Sequence, residues 1–434
     1  MPVSQFARMC TIVLTVAVVA CASWPAHSQT DADRIDSLER RLEQSNRLIE
    51  QLEARIKVLE QAAADSARSG ATTAAAAQPV ETLPAEAAPQ LQLVVPEMEG
   101  VALHAFADVG YVQSSHPNAV GRKSGFALGN LDFYLTPELS ARIKALFELN
   151  FEYDANGAIG SDLERGQIAY IVDDALTVWV GRFHTPYGYW NTAFHHGAQL
   201  QTSVRRPQFL EFEDHGGNLP AHTVGLWGSG SLPLGEGRLL YDAYVGNGDR
   251  IVDGELDFNA ELDDNGNREV GFNIGYRFGA LPSGLLIGLD ALSEHVNTPA
   301  SSLTGSLVAM RFVGAYVVYD ADNWEAIAEY YRFLNHDLTD SGALHRSWSG
   351  YAQLGYTFAG RLTPYARYEE ALFDQTDPYF AAQTEGRSYT RALLGVRFDL
   401  SPKAALKLEW DHTDQTRDGG ARFNEFLSQF AIRF

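Results

Sequence analysis

Cysteine is nearly absent. The chain holds two, Cys10 and Cys21, and both fall in its first 21 residues. Residues 1–28 read as an export signal, with Arg8 as a minimal basic start, an apolar core from Met9 to Ala22, and Ala26-His27-Ser28 as a small-x-small cleavage site. Cleavage before Gln29 leaves a cysteine-free polypeptide, which suits an oxidising compartment. The alternative is lipidation of Cys21, because Val18-Val19-Ala20-Cys21 loosely resembles a lipoprotein processing site. Beyond residue 28 no apolar run reaches 18 residues, so no segment can cross a bilayer as a helix. The chain is therefore either soluble or crosses a membrane as a barrel. Positive charge is also scarce, with 33 basic residues against 55 acidic ones and a net charge of -22. That balance excludes a nucleic-acid partner, which calls for clustered Lys and Arg.

The next segment, 31–60, is helical by periodicity. Ile35, Leu38, Leu42, Ile49, Leu52, Ile56 and Leu59 keep a three-four spacing that only Ser45 interrupts, which is a coiled-coil seam. Ile at one seam position with Leu at the other leans toward two strands. Residues 61–98 are Ala-rich and carry Pro79, Pro84, Pro89 and Pro96, a composition that buries no core and acts as a spacer.

From residue 99 to 434 the period changes to two. Between Leu139 and Tyr153 one parity is Leu, Ala, Ile, Ala, Phe, Leu, Phe, Tyr, and the other is mostly polar, with Arg142, Lys144, Glu148 and Glu152. A strand sends alternate residues to opposite faces, so this one shows an apolar face to lipid and a charged one to water. Sixteen such segments can be read to the chain end, making an all-β antiparallel transmembrane barrel preceded by a short periplasmic coiled coil. Connections alternate in length. Those at 113–124, 184–221, 247–269, 294–307, 334–346 and 373–386 are long, whereas 136–138, 173–174, 231–236, 279–284, 320–323 and 399–402 are short. A membrane barrel sorts its loops in this way, with both termini on the periplasmic side.

The ending adds a second signal. Phe426, Phe430, Ile432 and the terminal Phe434 share one parity, the pattern by which the barrel-assembly machinery would recognise a client. Tyr153, Trp324, Trp348 and Trp410 suit interfacial aromatic girdles. Arg142, Lys144, Glu148, Arg165, Gln167, Lys407 and Glu409 fall on the inward parity, so the interior holds water and charges of both signs.

The third long loop, His184 to Ala221, carries His184, His195, His196, Arg205, Arg206, Glu211, Glu213, Asp214 and His215. Its aromatic and glycine content predicts that it folds into the barrel, setting Arg205 and Arg206 opposite Glu211, Glu213 and Asp214 as a constriction that selects by size and transverse field. The alternative is a loop packed on the rim or on a neighbouring subunit. No ligand pair here has the His-x-x-x-His spacing, so no metal site and no cofactor is expected. Asp263-Asp264-Asn265-Gly266-Asn267 lacks the terminal Glu of a calcium loop.

The coiled coil, the Ala/Pro spacer, the sixteen-strand barrel and the GRF-x-x-P-x-G element from Gly181 to Gly188 together resemble the phosphate-selective porin O and P superfamily. The likeness covers residues 30–434 in architecture, and Gly181 to Gly225 as motif. It implies a homotrimeric channel for small hydrophilic, anionic solutes in the outer membrane, bounded by lipid and lipopolysaccharide. Phosphate selectivity would need a dense Lys/Arg track that this composition does not supply. An outer-membrane hydrolase is the competing class, but neither Gly-x-Ser-x-Gly nor His-x-Ser-Asn-Gly occurs, so no catalysis is expected.

Overall fold

A computed structural model describes residues 101–434 apart from 117–123, 138, 154–158, 195–196, 213–215, 258–261, 264, 280–282, 299–305 and 340–341. The signal, the coiled coil and the spacer lie outside the described residues. The first half of the barrel comprises β1 (Val101–Ser114), β2 (Gly125–Pro137), β3 (Ile143–Tyr153), β4 (Ile159–Ile171), β5 (Leu176–His184), β6 (His222–Leu234) and β7 (Gly237–Gly246). A small hairpin, β8 (Ile251–Val252) and β9 (Glu255–Leu256), stands apart from the wall. The wall resumes with β10 (Glu269–Arg277), β11 (Leu285–Thr298), β12 (Ser306–Ala321), β13 (Trp324–Asp337) and β14 (Leu344–Tyr356). It closes with β15 (Leu362–Leu372), β16 (Tyr389–Ser401), β17 (Ala404–Asp414) and β18 (Arg422–Arg433).

Sixteen of these strands pair antiparallel in chain order and β18 pairs with β1, giving a closed barrel without an edge. β1 begins and β18 ends at the end that carries the short turns. There the Phe434 N–H donates to the Ala105 carbonyl and the Ala105 N–H to the Phe434 carbonyl. The two-residue turn Asp322-Asn323 joins β12 to β13 with φ of 53° and 68°, the left-handed pair that matches strand twist. The alternation seen in the sequence sets the faces. Val313, Leu289, Leu394 and Phe430 stand exposed on the outside, while Phe312, Tyr331, Arg367 and Glu409 are buried inside. Trp324 and Trp410 point outward near opposite ends of their strands, and Trp324 packs edge-on against Tyr356.

The expected fifteen-residue strand from Leu139 is shorter. β3 starts at Ile143 because the Ser140 hydroxyl takes the backbone N–H of Arg142 and Ile143 at 3.2 and 2.9 Å, turning the chain before the ladder begins.

The interior is packed. Tyr187, Trp190, Phe209, Phe312, Phe333, Tyr351, Phe373, Tyr379 and Phe380 belong to one buried aromatic-rich cluster. Its members come from both the wall and the long connections at the other barrel end. Among these connections, residues 373–388 carry a short helix, α1 (Pro378–Ala381), which Asp377 caps. The same connection meets the β8–β9 hairpin where the Thr384 N–H donates to the Gly254 carbonyl at 2.8 Å.

Candidate functional site

The segment 185–221 leaves β5 and returns to β6. In a ring of sixteen strands the wall opposite that pair is β15–β16. Most of the segment's hydrogen bonds to the wall end there and on the strands to either side, with Asn273 of β10 donating to the Gly188 carbonyl at 3.0 Å, so it crosses the lumen. Near β13 the Trp190 and Tyr189 N–H groups donate to the Glu329 carboxylate at 2.7 and 3.2 Å. Tyr331 and Tyr351 hydroxyls donate to the same carboxylate, which is buried. Farther along, the Val204 N–H reaches Glu409 on β17 at 2.9 Å, and the Gln208 N–H reaches Glu369 on β15 at 2.8 Å.

The basic side chains of this wall are used in the same way. Arg367 donates to the carbonyls of Arg205 and Arg206, both at 2.9 Å, to the Ser203 hydroxyl at 2.8 Å, and to Glu369. Arg397 donates to the carbonyls of Gln199 and Gln201 at 2.7 and 2.8 Å. Lys407 donates to the carbonyls of Ala198 and Ser203. Arg391 donates to the Gln208 side chain at 2.9 Å. Each cation finds carbonyl or amide oxygens of the crossing segment, which gives partners to charges that are costly to bury alone.

The segment also reaches from one barrel end to the other. Gln199 donates to the carbonyl of Pro402, in the turn between β16 and β17, at 3.3 Å. Thr202 donates to Glu325, the second residue of β13, at 2.7 Å. At the loop end the Tyr379 hydroxyl donates to the Asn218 carbonyl at 2.8 Å. A second short helix, α2 (Trp190–Ala193, earlier in the chain than α1), lies against Glu329.

Two glycines of the Gly181–Gly188 element have a structural purpose. Gly188 has φ of +58°, and a Cβ there would lie 2.0 Å from the Tyr331 hydroxyl and 2.3 Å from a Glu329 carboxylate oxygen. Gly181 has φ of +125° and would clash with the Gly166 carbonyl at 2.1 Å. Only glycine allows these approaches.

Arg205 meets carboxylates of the wall, and the expected approach of the arginine pair to Glu213 and Asp214 lies outside the described residues. Arg205 extends to the wall, 2.5 Å from Glu425 and 3.3 Å from Asp411. Arg206 is buried, donates to the carbonyls of Leu210 and Phe194 at 2.9 and 3.0 Å, and lies 4.0 Å over the Phe212 ring. Glu211 closes the turn Gln208–Leu210. His195, His196, Glu213, Asp214 and His215 lie outside the described residues.

His184 ends β5, is buried, and its ring lies edge-on to Phe212 of the crossing segment at 6.4 Å. Its ring meets His222 at 4.6 Å, and His222 lies 3.0 Å from Glu164. Arg142 is exposed in the turn before β3, and Lys144 is exposed at the second residue of that strand. Arg165 pairs with Glu148 across β3–β4 and lies 5.5 Å over the Tyr134 ring.

Outside the strands, two carboxylates of the 373–388 connection are shifted in opposite directions. Burial raises Asp377 to about 6, although the Tyr379 N–H and the Asn335 amide favour its charge. Asp374 is held below the usual range, mainly by the Thr376 hydroxyl and N–H, with His345 3.0 Å away. Among the described residues no group of three His, Cys, Asp or Glu side chains is placed to hold a metal ion. Asp263 spends its carboxylate on the Asn265 and Gly266 N–H groups and on Arg268.

The fold is that of the porin-type transmembrane β-barrels of the outer membrane. The structure is similar to the anion-selective porin from Comamonas acidovorans, at 15% identity and a TM-score of 0.51, covering 77% of this chain and 99% of that one. It is likewise similar to a loop L8 deletion mutant of OmpT, an outer membrane protein of Vibrio cholerae, at 11% identity, a TM-score of 0.51 and the same two coverages. In-vitro folded OmpT in its trimer form matches at 10% identity and a TM-score of 0.50, over 77% of this chain and 99% of that one. No family model matches the sequence, and no curated protein resembles it by sequence.

The sequence had pointed to the crossing segment and to Lys407 and Glu409. It missed Glu329, Arg367, Glu369 and Arg397 as anchors. Their signal was present as charges on the inward parity of strands otherwise read as wall.

Proposed function

We propose that the protein is an outer-membrane porin, a passive channel for small hydrophilic solutes that the 185–221 segment narrows. The observation that carries this reading is the segment's anchorage across the barrel diameter, from its roots at β5 and β6 to Glu329 on β13 and Glu409 on β17 of the opposite wall. A chain segment fixed there reduces the aqueous section and sets the charge along it. The reading is non-catalytic.

Of the solute classes, neutral and cationic molecules fit better than the anions that the family resemblance implies. Along β10–β18 the buried inward side chains include nine carboxylates and only Arg367, Arg391 and Lys407 as cations, among the described residues. Those three cations are bonded to the crossing segment, which removes them from a free anion track.

Short turns at one end and long loops at the other support an orientation with both termini in the periplasm. The outward Phe430 and Ile432 with terminal Phe434 support recognition by the assembly machinery. Homotrimeric assembly is part of the reading, supported by the trimer form in which the similar OmpT was solved. The 31–60 coiled coil would then join the subunits' tails, and cleavage after Ser28 would release them from the signal.

Reconstitution of the purified mature protein in a planar bilayer tests this reading. Stepwise conductance with a reversal potential favouring cations is expected in a potassium chloride gradient. No steps would overturn the pore, and anion preference would overturn the solute assignment.

A further inference from the structure

The outer face of the wall is apolar, with a local exception. Arg311 on β12, Arg332 on β13 and Arg346 on β14 are exposed, on the same parity as exposed Val313, Leu334 and Leu344. They lie on three consecutive strands. Leu334 pairs with Arg346, Phe333 next to it pairs with Phe312 next to Arg311, and Arg332 is one residue position from Phe333 on the middle strand. Neighbouring strands lie about 4.8 Å apart, so the outer two arginines root about 10 Å from each other, with the third on the strand between them and about 7 Å toward the turn end. Three long side chains rooted at that spacing can converge on one group.

Among the described residues nothing neutralises them, and none of the three forms an ion pair. The outward parities of β11–β14 carry no carboxylate, in a chain with 55 acidic residues. The outward groups nearest in kind are His295 and His336. Glu370, on the outer face of β15, accepts instead from the Tyr368 hydroxyl. Arg422, farther round the wall, is paired with Asp414.

Their height is informative. On β13 Trp324 marks the turn-end girdle, and Arg332 is eight residues beyond it, about 26 Å along the strand or about 20 Å along the normal at the usual tilt. Tyr330 and Trp348, stacked at 5.9 Å, each stand two residues toward the turn end from the arginine of their own strand, Trp348 being the cross-strand partner of Arg332. The cluster therefore occupies the loop-end rim of the apolar band, where arginine stems lie on apolar wall and guanidinium groups reach the headgroup layer.

We propose that Arg311, Arg332 and Arg346 form a docking site for a phosphorylated lipid headgroup of the outer leaflet. This rests on the orientation given above, in which the loop end faces outward. Guanidinium forks match phosphate oxygens in charge and in geometry. A phosphorylated glycolipid bound there would lay its acyl chains down the Val313 and Leu334 surface.

Native mass spectrometry of the full mature chain with bis-phosphorylated lipid A, and with the dephosphorylated form as control, tests the site. Wild type is expected to retain the phosphorylated lipid. The R311Q/R332Q/R346Q variant is expected to lose affinity on the order of a hundredfold, about fivefold per arginine. The R311K/R332K/R346K variant should fall between them, because it keeps charge and loses the forks. Equal binding of both lipids by wild type, or undiminished binding by the glutamine variant, would overturn the proposal. A change in oligomeric state without loss of lipid would also overturn it and make the patch a protein contact. Heat-dependent gel migration reports that each variant has folded as a barrel. Bilayer conductance of the same samples judges the pore reading separately.

Discussion

The Glu329 carboxylate on β13 receives the backbone N–H of Trp190 at 2.7 Å, although 139 residues separate them. That contact joins the crossing segment to the far wall. Three more donors, Tyr189, Tyr331 and Tyr351, converge on the same group. A buried carboxylate is stable in such a site only with several donors.

Replacing Glu329 by Ala leaves these donors without an acceptor. Docking of the segment should weaken by about 1–3 kcal/mol for each buried donor left unsatisfied. In bilayer recordings the variant should show larger and noisier steps than wild type. Steps identical in size and noise would mean that the segment does not depend on this anchor.

Gly188→Ala tests the same contact from the other side. The new Cβ meets Tyr331 and Glu329 in a backbone region that costs alanine about 1–2 kcal/mol even without a clash. The thermal midpoint should fall and channel noise should rise. A wild-type midpoint would contradict the close approach.

Arg205 and Arg206 should separate cleanly. Arg205→Ala frees Asp411 and Glu425, so cation preference should increase while stability changes little, because Arg205 is 29% exposed. Arg206→Ala removes the clasp on Leu210 and Phe194 carbonyls, and should lower stability by about 2–4 kcal/mol. Reversal potentials and denaturation read the two effects. The opposite assignment, with selectivity following Arg206, would contradict the placement.

Acidification should tighten the 373–388 connection. Asp377 is raised from 3.8 to about 6, so the docked form binds the proton more tightly than the free chain. Its effect on docking is therefore most favourable below pH 4 and is lost as pH rises through about 6, a change of about 1–3 kcal/mol. Asp374 works in the opposite direction, since its lowered value favours docking above the usual carboxylate range and is lost below it. Hydrogen exchange at Phe380 should slow between pH 7 and pH 5 after correction for intrinsic rates, and Asp377→Asn should flatten that trend. An unchanged trend in the variant would assign it to another group.

The wall was legible in the sequence because period-two alternation is local: Phe147, Leu149 and Phe151 announce a lipid face without reference to any other strand. Loop sorting was legible for the same reason. The crossing segment was legible only by composition, through its aromatics and glycines. Its anchors were not, because Val204 and Glu409 meet only after the barrel closes. Arg205 illustrates the limit. Nearby Glu211 looks like its partner in the sequence, yet the fold gives it Asp411 and Glu425, which approach only when β17 and β18 complete the ring. The start of β3 was misjudged because Leu139 and Ala141 keep the parity while Ser140 turns the backbone.

A single cysteine placed in residues 29–434, which contain none, tests the central claim most directly. Leu200, in the crossing segment, is 36% exposed and open to a reagent. Leu200→Cys channels in a planar bilayer should show an immediate stepwise drop in single-channel current when a bulky methanethiosulfonate is added. Unchanged current, with labelling confirmed by mass, would place the segment outside the conducting path and contradict the account.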